Sequence, residues 1–136
     1  MKRFRIAVVC TLILSGFLAP RCRAAIYQSN GTVESIQFFH NQAQNGDTIT
    51  LPAGTSTWTT KLTITKAITL QGAGVGSTII KDAVQSGPLL EVTLAAGRLT
   101  RITGIEFQNG GRTSTQIGIL RVFGSNTNGS TFRWDH

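Results

Sequence analysis

The chain has 136 residues, 13 basic side chains against six acidic ones, a formal net charge of +7 and two cysteines. Five of the basic residues (Lys2, Arg3, Arg5, Arg21, Arg23) and both cysteines (Cys10, Cys22) precede residue 25. Beyond them the chain carries eight basic and six acidic residues and no thiol. That balance excludes a nucleic-acid or membrane footprint, a disulfide framework and a thiolate metal site.

Those first residues have the layout of a secretory signal peptide. Met1 to Arg5 is positively charged, Ile6 to Leu18 is a continuous, mostly apolar run, and Pro20 breaks it. A spanning helix needs roughly 20 apolar residues, more than this run supplies. Cys22 and Ala24 sit at −3 and −1 for a cut after Ala24, so residues 1–24 are expected to be a removed leader. The competing reading is an uncleaved anchor. Arg21 before Cys22 argues against lipid attachment, which requires a small residue there. A secreted or cell-surface protein follows, with no membrane contact after cleavage.

The remainder, 25–136, suffices for one domain. Thr32 to Ala43 reads as a helix, with Thr32 as N-cap, Glu34 in the first turn, and Val33, Ile36, Phe39 and Ala43 roughly on one face. His40 on this helix is expected to be half-exposed. Asn45-Gly46 ends it.

After that the pattern changes to short runs bounded by Gly, Pro, Asn or Ser: Thr48 to Leu51, Leu62 to Ile64, Ile68 to Leu70, Thr78 to Ile80, Leu89 to Leu94, Ile102 to Phe107 and Ile117 to Phe123. Ile49-Thr50-Leu51 recurs as Ile68-Thr69-Leu70. That recurrence implies a coil of about 20 residues with two or three strands in each. Threonine, the commonest residue after the leader, suits stacked strands. The helix is expected to cover the exposed first edge and the open core of such a solenoid. Ser130 to His136 alternates like the start of a strand, and a chain that stops there reads as a fragment.

Asn45-Gly46-Asp47-Thr48-Ile49-Thr50-Leu51-Pro52-Ala53-Gly54, then Ile68-Thr69-Leu70-Gln71-Gly72-Ala73-Gly74 with Ser77-Thr78-Ile79-Ile80, resembles the first coils of the pectin-lyase-like superfamily. Ile102 to Gly111 resembles a later coil. The resemblance spans about Thr32 to Phe123. It implies an all-β, right-handed parallel β-helix with a short N-terminal capping helix, truncated at its C-terminus. It also implies a polysaccharide as partner, and an activity among lyases, hydrolases, esterases or adhesins.

The residues themselves offer little catalytic chemistry. Hydrolases flank the glycosidic bond with two carboxylates, and lyases use acids to hold Ca²⁺. The acids beyond the leader are Glu34, Asp47, Asp82, Glu91, Glu106 and Asp135, none adjacent in sequence, and no cofactor or metal is indicated. Stacking is the one way to bring Glu91 or Glu106 near another acid, with rungs ~4.8 Å apart. Glu106 alternates with Ile105 and Phe107 and is expected to point outward.

Arg98, Arg101, Arg112, Arg121 and Arg133 are candidates to line one face for an acidic glycan, with Trp58 and Trp134 as stacking platforms. The plainer reading makes them solubilising charge around core or corner tryptophans. The ligand-binding candidates are therefore Trp58, Arg101, Glu106, Arg121 and Trp134.

Gly72 to Thr78 lacks the lysine of a phosphate loop and reads as a corner. Asp135 and His136 are neighbours on a strand and should face opposite ways. Asn30-Gly31-Thr32 and Asn128-Gly129-Ser130 fit the glycosylation pattern. Two functions remain: a polysaccharide-binding or polysaccharide-degrading protein whose catalytic residues lie beyond His136, or a non-catalytic adhesin-type stalk.

Overall fold

The computed structural model describes residues 23–113, 118–124 and 129–135. The expected leader therefore lies outside the described residues except for Arg23 and Ala24, as do Ile117, Asn128 and His136. Among the described residues no helix is long and apolar enough to cross a membrane.

The described residues are mostly β, with three parallel sheets and one short helix. After β1 (Ile26–Gln28) comes α1 (Val33–Gln42), then β2 (Thr48–Thr50), β3 (Gly54–Trp58), β4 (Leu62–Ile64), β5 (Thr69–Gln71) and β6 (Thr78–Asp82). β7 (Leu90–Thr93), β8 (Leu99–Thr103), β9 (Glu106–Asn109), β10 (Leu120–Phe123) and β11 (Thr131–Asp135) complete it. The first sheet is ordered β1-β2-β5-β8-β11, the second β3-β6-β9 and the third β10-β7-β4. From β2 onward the chain visits first, second and third sheets in strict rotation.

Alternation sets the register. Tyr27, Ile49, Leu70, Ile102 and Trp134 are successive partners across the first sheet, and the middle three are fully buried. A slip of one residue would turn threonines inward and these side chains to solvent. The repeat read from Ile49 and Ile68 is corrected accordingly: Ile49 pairs with Leu70, and the later steps, from Leu70 to Ile102 and from Ile102 to Trp134, are longer and equal. Ile68 is buried as well, but in the corner before β5. The longer circuits put their extra residues into corners, where strand pairing does not limit length.

Two further differences have local causes. The run Ile102 to Phe107 is two strands, because Gly104 has φ +66° and turns the chain between β8 and β9. β3 is not legible in advance because its sequence is Gly-Thr-Ser-Thr-Trp, with Trp58 its only large apolar side chain.

α1 follows its signals. Thr32 is the N-cap and its hydroxyl accepts the Ser35 N–H at 3.3 Å, while Glu34 sits in the first turn. Val33 and Ile36 join the core with Leu62, Ile64, Leu90, Val92 and others. His40 differs from expectation: it is 3% exposed, because the helix lays it against the chain just after β4. The helix lies over the core and over the first edge of the third sheet. β1 shields the first sheet, while Gln37 and His40 of α1 accept the N–H groups of Thr63 and Thr65 along the edge at β4.

Candidate ligand-binding surface

The outer face of the first sheet is built by the same alternation that fills the core. Flanking the inward row are two outward rows, Thr48, Thr69, Arg101 and Arg133, and Thr50, Gln71, Thr103 and Asp135. Rungs ~4.8 Å apart make this a flat polar strip. Arg101 and Arg133 are direct partners on β8 and β11, so two guanidinium groups of like charge stand side by side. One carboxylate holds them. Arg101 donates Nε and Nη2 to the two oxygens of Asp135, each at 3.0 Å, and Arg133 pairs with the same group. Hydrogen bonds from Arg101 and then Thr103 hold the Asp135 carboxyl down at about 2.

Two cations on one anion leave a surplus positive charge on the strip. Arg98, exposed just before β8, adds to it. It borders a shallow recess of about 390 Å³ lined also by Gly46, Ala67, Thr69, Gly97 and Leu99. Thr69 belongs to both the recess and the Arg101 row, so the two are continuous.

The other candidates are dispersed. Trp58 is 1% exposed and its indole N–H is donated to the Gly31 carbonyl at 2.9 Å, so it offers no stacking surface. Trp134 is 40% exposed but occupies the inward row, edge-on to Phe107 at 5.2 Å, on the opposite side of the sheet from Arg101. Glu106 lies in the second sheet, partly exposed, and accepts the Gln108 amide at 2.7 Å. Arg121 lies in the third sheet, 4.0 Å from Glu91 and 5.8 Å from the Phe123 ring.

The arginines therefore do not line one face. A circuit around three sheets separates residues that look evenly spaced along the chain. Arg112 is instead sequestered at a corner: it makes a two-pronged pair with Asp82 at 2.6 and 3.1 Å, and donates to the Gly87 carbonyl at 2.8 Å.

Stacking does not pair the acids either. Glu91 is in register with Thr63 and Arg121 and bonds Lys61 at 2.9 Å, while Glu106 is in register with Ile79. Among the described residues, no three His, Cys, Asp or Glu side chains gather as a metal site. Gly72 to Thr78 is a corner, where the Thr78 hydroxyl accepts the Ala73 N–H and donates to the Pro52 carbonyl.

Sequence reasoning misses the Arg101–Asp135 clamp, although a signal exists. Leu99-Thr100-Arg101-Ile102-Thr103 and Thr131-Phe132-Arg133-Trp134-Asp135, which pair in register, share an arginine followed by a large apolar residue and a polar one. A search at the shorter period of Ile49 and Ile68 passes over it.

Compared with known proteins, the chain matches no family model, no curated protein and no solved structure.

Proposed function

We propose that this chain is an exported right-handed parallel β-helix whose first sheet binds an acidic polysaccharide on its outer face. Two observations support the helix reading, strict rotation among three parallel sheets and an inward apolar row on each rung, and the right hand is the one that parallel crossovers overwhelmingly adopt. Export rests on the leader-like residues 1–24. The resemblance of the first coils to pectin-lyase-like proteins points to the same ligand class.

The observation that carries the binding assignment is the in-register pair Arg101 and Arg133 sharing the single carboxylate of Asp135. Guanidinium groups in that position have donors left over, and they match carboxylate and sulfate geometry in pairs. The repeated rungs offer equal spacing to a repeating ligand. A second reading, an adhesin-type stalk without a glycan site, is favoured by the threonine-rich outer rows and the scattered acids.

The test is retardation of the purified protein in gels containing polygalacturonate or an uncharged glucan. Retardation by the acidic polymer alone, reduced by salt and weakened about threefold in Arg133→Gln, is the expected result, since an exposed ion contact contributes roughly 0.6 kcal/mol. Equal retardation by both polymers, or by neither, returns the assignment to the stalk reading. No chain cleavage is expected during the incubation.

A further inference from the structure

The seam between α1 and the chain that follows β4 has a chemistry that the glycan surface does not use. His40 is buried in it. Its Nε2 accepts the Thr65 N–H at 3.1 Å, which requires that nitrogen to be unprotonated, so the neutral ring carries its proton on Nδ1. Nδ1 lies 3.3 Å from Gln37 Nε2, an amide nitrogen that only donates, so with the proton on Nδ1 this contact is not a hydrogen bond; Gln37 Oε1 is the atom that accepts the Thr63 N–H. One residue beyond Thr65, the Lys66 ammonium donates to three carbonyls at the end of the same helix, those of His40 and Asn41 at 2.8 Å and Ala43 at 2.7 Å. Those carbonyls have no partner within the helix, and a cation there also opposes the helix dipole.

We propose that His40 is an acid-sensitive latch: while neutral it fastens α1 to the edge of the third sheet, and once protonated it releases the helix. A proton on Nε2 sets two N–H donors against each other, at His40 and Thr65. It also places a second positive charge against the Lys66 that already holds the helix end. Both effects act on one seam, and Gln37 to Thr63, at 3.4 Å, is the other side-chain bond to that edge.

The charges around the ring give no compensation. Lys66 is the charged group bearing on it from the β4–β5 connection. From the segment before β2, Asp47 is already engaged, accepting the N–H groups of Ala25 at 2.8 Å and Gln44 at 2.7 Å. On the helix itself, Glu34 lies exposed in the first turn. Burial is the main cause pushing the imidazole below its ordinary value of 6.5; Asn41 opposes it and Lys66 adds to it.

The sign follows. The open state binds the proton more readily than the latched state, so latching is complete above about 6.5 and weakens as pH falls below it. At about 1.5 pH units below that value the ceiling on the effect is about 30-fold in the opening equilibrium. Release would uncover Val33 and Ile36, the strand edge at β4 and the apolar surface of Leu62 behind it. This inference is independent of the polysaccharide reading.

Hydrogen exchange of the protein, corrected for intrinsic rates and compared at neutral and mildly acidic pH, is the test. Exchange of residues 33–42 and 63–67 should rise several-fold in acid, and His40→Gln, which keeps an acceptor that does not titrate, should abolish the rise. Protection independent of pH, or an identical rise in His40→Gln, overturns the latch. Should that variant not fold, the proton resonance of the wild-type imidazole decides: a midpoint below 6.5 supports the latch, and one at or above 6.5 overturns it.

Discussion

Trp58 ends β3 with its indole N–H pointed at the carbonyl of Gly31, 2.9 Å away, and thereby ties the entrance of α1 to the second sheet. Both residues are buried. The bond therefore joins two segments distant in the chain where water cannot replace it. Trp58→Phe keeps most of the ring and removes only the donor. A loss of about 1–3 kcal/mol is expected, the cost of a buried carbonyl left without a partner, and urea unfolding at constant m-value checks it. Trp58→Ala should cost about 3–5 kcal/mol through the added cavity.

Gly72 and Gly104 are stacked at the ends of β5 and β8 so closely that a Cβ on Gly72 would come within 2.2 Å of the Gly104 oxygen. The obstacle is backbone and cannot swing aside. Gly72→Ala should lower stability by about 1–3 kcal/mol or more, whereas Gly118→Ala, with open space around it, should leave the thermal midpoint nearly unchanged. Equal midpoints for the two variants would contradict the close approach.

Asp82 and Arg112 form an ion pair with side chains only 3% and 9% exposed. Asp82 also accepts the Val84 N–H at 3.0 Å. Asp82→Ala removes the carboxylate that neutralises a buried guanidinium and should cost about 3–5 kcal/mol. Combining Asp82→Leu with Arg112→Met removes both charges, and chemical denaturation should show a smaller loss than in the single variant. A double variant at least as unstable as the single one would argue against an unneutralised buried charge as the cause.

The Asp135 carboxyl, held down at about 2 by Arg101 and Thr103, has a folded value below its ordinary 3.8. Its contribution to docking β11 is therefore present above pH 3.8 and fades as pH falls toward 2. Hydrogen exchange of residues 131–135 should accelerate over that interval. Asp135→Asn should remove the pH dependence and leave Arg101 and Arg133 in repulsion at every pH.

The outer strip of the first sheet shows why part of its arrangement was hidden. Arg101, Arg133 and Asp135 were each visible as residues, yet their association depends on a circuit from β8 to β11 whose length is set by corner loops. Corner length has no hydrophobic period, so no pattern announces it. Trp58 illustrates the converse: read either as a stacking platform or as a core or corner residue, it is turned inward by its parity on β3.

What the amino-acid sequence determined by itself was local. Thr32 and Glu34 marked the start of α1, and the alternation in Leu62-Thr63-Ile64 and Thr131 to Asp135 marked strands. Each of these depends on close neighbours in the chain, where periodicity and capping act. Only the tertiary structure decided which strands are partners, that β1 covers the edge of the first sheet and α1 that of the third, and that His40 is buried beside Lys66. Those outcomes depend on contacts between successive circuits of the chain, fixed by which apolar side chains share one interior.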